Sequence, residues 1–257
     1  MRPAYYNEID PYCAEWLRNL IAAGRLPAGE VDDRDVREVS GDDLRGYGQV
    51  HLFAGVGGWA HALRLAGVAD CETVWTGSCP CQPLSSAGQR KGHADERHLW
   101  PAFYRLVAER RPAVVLGEQV ASRLGREWFA GVRADLEYLG YAIGAADLPA
   151  AGVGAPHNRA RLFWAAYADG AGWSSRNGKI AHLGHRRAVV AGGGRRFWDG
   201  FEAHEDDHGR LWRSEPGTFP LAHGVPARVG KLRAYGNAVA PPLAAVFVRA
   251  AMEATDG

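Results

Sequence analysis

The chain has 257 residues, 47% of them hydrophobic and 23% charged, which implies one large or two small folded domains with a sizeable core and excludes disorder. Its net charge of +1 averages two unlike stretches. Residues 1–150 carry 16 Lys+Arg against 20 Asp+Glu, a net −4, and residues 151–257 carry 14 against 9, a net +5. No apolar run approaches the ~18 residues of a membrane span, and the first residues lack the apolar core of a secretory signal, so a cytoplasmic protein with no membrane partner is expected.

In chain order, residues 3–9 read as a short strand, followed by a helix over Pro11–Ala23 that has Pro11 in its first turn and Gly24 as its stop. Cys13, Trp16, Leu17, Leu20 and Ile21 recur on one helical face. An acidic segment, Glu30–Asp43, leads to a strand over Gln49–Ala54, a turn at Gly55-Val56-Gly57-Gly58 and a helix over Trp59–Ala66. A strand at Thr73–Gly77 runs into Ser78-Cys79-Pro80-Cys81-Gln82-Pro83. A helix over Trp100–Arg110, a strand over Ala113–Gly117, a helix over Glu127–Leu139 and a strand near Leu162–Ala166 continue the alternation, which predicts a largely parallel α/β sheet. From Tyr167 to Gly230 the periodicity gives way to Gly, Arg, His and Trp, and a last helix is expected over Pro242–Glu253. The chain therefore divides into residues 1–166, a small irregular region over 167–230, and a C-terminal segment over 231–257 that returns to the first. Phe197, Trp198 and Trp212 read as the miniature core of the irregular region.

Several short motifs carry chemical meaning. Phe53-Ala54-Gly55-Val56-Gly57-Gly58 lies where a strand passes into a helix, and glycines there let a cofactor approach the backbone; without a following Gly-Lys-Ser/Thr it is not a P-loop. Cys81 sits between prolines on a stiff loop at the carboxyl edge of the expected sheet, where open α/β sheets place their sites. A buried, inert structural cysteine is the usual alternative. The four cysteines, Cys13, Cys71, Cys79 and Cys81, match no common zinc spacing, and no metal is expected. Glu118 ends an apolar strand, as a desolvated functional carboxylate or simply the first exposed residue after it. In Arg159-Ala160-Arg161 both guanidinium groups point the same way if the segment is extended, which suits a phosphate or a base edge as well as ordinary surface charge. Ser174–Arg196 holds six basic residues and no acid, namely Arg176, Lys179, Arg186, Arg187, Arg195 and Arg196, as a polyanion-binding surface or a solvated loop requires.

Together and in this order, these elements resemble the DNA cytosine-5 methyltransferases over Asn7–Ala166 and Lys231–Pro242. Phe53–Gly58 is similar to the family's cofactor turn and Pro80-Cys81-Gln82 to its nucleophile loop. Glu118 matches the glutamate of Glu-Asn-Val, Arg159 and Arg161 match the paired arginines of Gln-x-Arg-x-Arg, and Gly236-Asn237-Ala238-Val239 matches Gly-Asn-x-Val. Gln119 and His157 depart from the usual Asn and Gln. The resemblance implies a Rossmann-like methyltransferase sheet that uses S-adenosylmethionine and acts on double-stranded DNA as a monomer, with 167–230 as target-recognition region. Cys81 becomes the nucleophile, Glu118 its acid partner, Arg161 a contact to the pyrimidine carbonyl and Arg159 a support. Pro80, Asn237, Ala238 and Val239 join the cofactor site, while Gln82, Ser85 and Arg97 join the basic residues on DNA. Ser85–Arg97, with Gly88 and Gly92, is expected to close over a flipped base.

Only 23 residues separate Gly58 from Cys81, too few for the acid-bearing and adenine-contacting segments that the family usually places there. Tyr6–Tyr12 and Asp35–Val39 resemble those segments. A locally permuted strand order is therefore expected, with Glu8 on the cofactor ribose, Ile9 against the adenine, Asp35 near its amino group, and Glu72 as rival for the ribose contact. The compact size and permuted order lean toward a phage origin, with membership of a restriction–modification system left open. An RNA cytosine-5 methyltransferase and an inactive DNA-binding relative are the alternatives.

Overall fold

The structure is a computed structural model that describes residues 2–80, 99–155, 158–168 and 238–254, together with the backbone of 202–205 and 211–214. Its main body is a seven-stranded sheet. In chain order the strands are β1 (Ala4–Asn7), β2 (Gly29–Asp32), β3 (Gln49–Leu52), β4 (Val74–Gly77), β5 (Val114–Val120), β6 (Tyr141–Leu148) and β7 (Arg161–Ala168). Their spatial order is β2-β1-β3-β4-β5-β7-β6. The first five run parallel, and β7 lies antiparallel to both β5 and β6.

The N-terminal strand β1 thus lies between β2 and β3, as the permuted order requires, and its carboxyl end stands beside the turn that follows β3. The helices are α1 (Pro11–Ala22), α2 (Gly58–Ala66), α3 (Trp100–Arg110), α4 (Arg123–Tyr138) and α5 (Pro241–Glu253). α1 begins at Asp10, whose carboxylate accepts from the backbone N–H groups of Tyr12 and Cys13 at 3.0 and 3.2 Å, with Pro11 in the first helical position. Strand alternation sends Tyr5, Val50, Leu52, Trp75, Val115 and Trp164 to one face, against Phe103 and Leu106 of α3 and Leu136 of α4. Val74, Leu116 and Phe163 face the other way, against Trp59 and Leu63 of α2 and Phe247 and Val248 of α5.

Two strands fall outside the sequence expectation. β2 lies in the segment read as an acidic approach to β3, and β6 in a stretch given no element. Both are edge strands, neither keeps one face buried, and so neither shows the alternation of a half-buried strand. β5 runs three residues past the expected end at Gly117, so Glu118 lies within the strand rather than after it. α4 starts four residues before the expected Glu127, because the Ser122 hydroxyl accepts from the Gly125 N–H at 3.0 Å and caps it. In the region read as irregular, β8 (Glu202–Glu205) and β9 (Leu211–Ser214) pair antiparallel. Trp212 lies on β9, whereas Phe197 and Trp198 lie outside the described residues. Among the described residues no helix is long and apolar enough to cross a membrane.

A buried polar row crosses the sheet under α1 and α2. The His51 ring, 1% exposed, meets Thr76 Oγ1 through Nδ1 at 2.8 Å and Gln49 Oε1 through Nε2 at 3.2 Å, and it stacks on Tyr6. Gln49 gives its own amide N–H to the Ala69 carbonyl, so its oxygen accepts and the His51 proton sits on Nε2. Burial pushes this imidazole down to about 3 from its ordinary 6.5. Below pH 6.5 the unfolded chain binds a proton that the folded chain refuses, so this contribution to stability is complete above pH 6.5 and lost on acidification. The loss is expected to run at about 1.4 kcal/mol per pH unit until the folded value is reached. Urea unfolding of wild type and His51→Gln from pH 7 to pH 4 should give a difference that grows as the wild type acidifies; parallel curves would mean that His51 does not titrate in this way.

Candidate active site

The carboxyl ends of β1, β3, β4 and β5 bring together several of the predicted residues, among them Glu8, Phe53 to Gly58, Pro80 and Glu118. After β3 the chain turns through Phe53, at φ 53°, and Gly55 and Gly57, at φ 56° and 83°. A positive φ at phenylalanine is a rare conformation, the kind that persists where surrounding structure imposes it. A Cβ on Gly57 would lie 2.4 Å from Leu26 Cδ1, and one on Gly58 would lie 3.0 Å from the Val239 carbonyl oxygen. The positive φ thus favours glycine at 55 and 57, and a side chain at 58 would crowd the C-terminal segment by a few tenths of an ångström. Glu8, one residue beyond β1, accepts from the Gly55 N–H at 2.7 Å and from the Asp10 N–H at 2.8 Å, which pins its carboxylate to the glycine turn.

Ile9 beside it is 58% exposed. Asp35 stands three residues past β2, where Arg37 hydrogen-bonds its carboxyl and holds it below the usual range. Glu72, the rival ribose ligand, precedes the amino end of β4 and so lies at the opposite edge of the sheet from the turn.

The second group surrounds Glu118. Gly77 of β4 pairs with Gly117 of β5, and neither tolerates a side chain: a Cβ would come within 2.4 Å of the Phe103 ring and 2.1 Å of the Trp164 ring respectively. The next residues in step, Ser78 and Glu118, share the other face. Glu118 is 9% exposed, and its Oε1 meets Arg161 Nε at 2.6 Å. Burial raises the Glu118 carboxyl above its ordinary value, against the opposing pull of Arg161, Arg159 and the Ser78 hydroxyl.

Arg159 is not on the strand. It precedes β7 with φ 21°, so the alternation expected of an extended segment does not apply. Its charge is nevertheless felt by Glu118, and its Nη2 donates to the Ala238 carbonyl at 3.1 Å. Burial lowers the Arg159 guanidinium below the usual arginine range, with Arg161 adding repulsion.

Gln119 gives its amide N–H to the Cys79 carbonyl at 3.4 Å and takes the Val120 N–H at 2.9 Å, and so ties β5 to the segment leading to Pro80. Cys79 is buried, which pushes its thiol well up, as suits an unreactive cysteine. Two residues that sequence reasoning passed over, Trp59 and Ser78, join the site through a hydrogen bond from the indole Nε1 to the hydroxyl at 3.0 Å. A hydroxyl one step before the Cys79-Pro80 corner was the only available signal.

Cys81, Gln82, Ser85, Arg97, His157, Arg176, Lys179, Arg186, Arg187, Arg195, Arg196 and Asn237 lie outside the described residues. Among the described residues no cluster of His, Cys, Asp or Glu is arranged to hold a metal ion.

The family model for the C-5 cytosine-specific DNA methylases matches residues 72–206, a span that takes in Cys81, Glu118, Arg159 and Arg161. The chain is similar to the Type II methyltransferase M.AplI of Arthrospira platensis, 28% identical over 158 residues that make up 48% of this chain and 46% of that protein. It is similar also to the Type II methyltransferase M.AgeI of Thalassovita gelatinovora, 36% identical over 108 residues, 40% of this chain and 25% of that protein. Among solved structures, the Dnmt2 methyltransferase of S. pombe aligns with a TM-score of 0.40 and 16% identity, over 65% of this chain and 51% of that one. The chain thus spans less than half the length of these curated relatives.

Proposed function

The chain belongs to the C-5 cytosine-specific DNA methylase family, and from that premise we propose that it transfers a methyl group from S-adenosylmethionine to carbon 5 of a cytosine turned out of duplex DNA, with Cys81 as the transient covalent nucleophile. The observation that carries the reading is the buried Glu118–Arg161 pair at 2.6 Å, set at the sheet edge where the chain leaves β4 for Cys81.

The methyl donor fits the observed cradle. The glycine turn passes through positive φ at Gly55 and Gly57, a Cβ on Gly55 would meet only open space, and Glu8 is pinned to its rim. Glu8 would take the ribose hydroxyls, Ile9 and Asp35 the adenine, and Phe53 through Gly58 with Pro80, Asn237, Ala238 and Val239 the remainder. When bound, S-adenosylmethionine supplies an electrophilic methyl group.

The work of the chain is to make cytosine carbon 5 nucleophilic. Stacked in a duplex the ring is out of reach, so the base is extruded, and the basic residues from Arg176 to Arg196, with Gln82, Ser85 and Arg97, hold the surrounding strands. Cys81 Sγ forms a bond to carbon 6 while Glu118 gives a proton or hydrogen bond to N3. Arg161, fixed by Glu118, reaches the pyrimidine carbonyl, and Arg159 braces the C-terminal segment through Ala238. Once carbon 5 is methylated, loss of its proton restores the ring and breaks the sulfur–carbon bond.

Duplexes carrying 5-fluorocytosine test the reading directly, because a fluorine cannot leave carbon 5 as a proton does. With cofactor present the wild type is expected to accumulate a denaturant-resistant protein–DNA adduct, and Cys81→Ala none. An adduct with structured RNA alone would move the substrate from DNA to RNA. No adduct with either, despite measurable cofactor binding, would identify an inactive relative.

A further inference from the structure

The register of the central strands sets up a second relation at the site. With Gly77 opposite Gly117, the side chains of Ser78 and Glu118 rise next to each other from parallel strands, and the rings of Phe103 and Trp164, pressed against the two glycines from behind, leave the backbone no room to retreat. The Ser78 hydroxyl bonds the Glu118 carboxylate. From the other side comes Trp59, in the first turn of the helix that follows the glycine turn. It is 4% exposed and set edge-on, at 81° and 5.9 Å, to Phe163, the residue paired with Glu118 across β5 and β7. Its Nε1 lies 3.0 Å from Ser78 Oγ.

An indole nitrogen only donates, so Ser78 oxygen accepts here and its single hydrogen is left for Glu118. Arg161, on Oε1, also only donates. Ser78 and Arg161 are therefore both donors to the carboxyl group, and a proton carried by Glu118 is steered away from them.

We infer that Ser78 is a positioning residue for Glu118, held as a donor by the Trp59 indole, so that the helix of the glycine turn sets the orientation from which Glu118 serves the cytosine ring. The inference rests on the reaction proposed above for its purpose, though not for its geometry. The relay links the cofactor turn to the acid through two side chains, Trp59 and Ser78.

Three variants test it: Ser78→Ala, Ser78→Thr and Trp59→Phe. Ser78→Ala is expected to lower kcat by about tenfold or more with KM for DNA and cofactor nearly unchanged, because only the presentation of the acid is lost. Removing a donor to the carboxylate raises the Glu118 pKa, so the alkaline limb of the kcat profile moves to higher pH. Ser78→Thr, which keeps the hydroxyl, should recover most of the rate. Trp59→Phe should give part of the loss and add nothing in the Ser78→Ala background, the mark of a shared path. Carbon-13 titration of labelled glutamate carboxyls supplies a readout without turnover, in which the Glu118 midpoint should rise in Ser78→Ala.

An unchanged midpoint and pH profile in Ser78→Ala would overturn the inference, as would a loss of melting temperature with neither shift. A wild type inert toward cytosine, with the midpoint still moving, would instead overturn the proposed reaction and leave the geometric relation standing.

Discussion

Glu118→Gln is expected to lower kcat for methyl transfer by about 10³-fold while leaving duplex and cofactor affinity within about threefold. The substitution keeps the size of the side chain and an oxygen able to accept from Arg161, which lies 2.6 Å from Glu118 Oε1, so the surrounding framework survives. It removes the capacity to deliver a proton. Burial holds the carboxyl above its ordinary value, so its neutral form lasts to higher pH than that of an exposed glutamate. In wild type the rate should therefore fall as pH rises through that elevated value, and in Glu118→Gln this limb should vanish. Exchanging a carboxylate for an amide beside Arg161 should also cost about 1–3 kcal/mol of stability, which a melting curve reads separately from the rate. A variant within tenfold of wild type at neutral pH, with its alkaline limb intact, would remove Glu118 from the chemistry.

How legible the site was depended on whether a residue's role was local. The glycine turn, the Cys79-Pro80 corner and the strand carrying Glu118 could be read because each is a strand followed by a short signature. The short spacing between Gly58 and Cys81 pointed to Glu8 at the N-terminus, with Glu72 as its rival, and the position of β1 between β2 and β3 puts Glu8 beside the glycine turn. Relations across the sheet were not legible. That Gly77 and Gly117 stand side by side beneath Phe103 and Trp164 depends on register, which no single strand encodes. The tie from Trp59 to Ser78 joins residues 19 positions apart through the end of a helix, and Trp59 reads in sequence as an ordinary core residue. Strands β2 and β6 were missed for a different reason. They are sheet edges whose side chains stay partly or largely exposed, so the hydrophobic pattern that reveals a strand is absent, and for β6 the Ala- and Gly-rich composition also lowers β propensity.

The sharpest test of the permuted order is a pair of alanine substitutions. Glu8→Ala should weaken S-adenosylmethionine binding by about 100-fold, as expected when hydrogen bonds from ligand hydroxyls to a charged acceptor are lost, whereas Glu72→Ala should change it by less than about twofold. The difference follows from position. Glu8 leaves the carboxyl end of β1 and is fastened by the Gly55 and Asp10 N–H groups, one to each oxygen, which fixes the plane of the carboxylate before any ligand arrives. Orientation established in advance spares the ligand the cost of ordering it. Glu72 sits in the turn ahead of β4, its N–H on the Ala69 carbonyl, a full strand length from the glycines. Ile9, more than half exposed beside Glu8, presents an apolar surface of the kind an adenine ring covers, so Ile9→Ala should weaken binding by a smaller factor. Because Glu8 also braces the turn, calorimetric titration needs a melting curve beside it: loss of affinity at nearly constant melting temperature assigns the effect to the ligand contact. The reverse outcome, with Glu8→Ala silent and Glu72→Ala abolishing binding, would place the ribose at the other edge of the sheet and leave the permuted strand order without its functional reason.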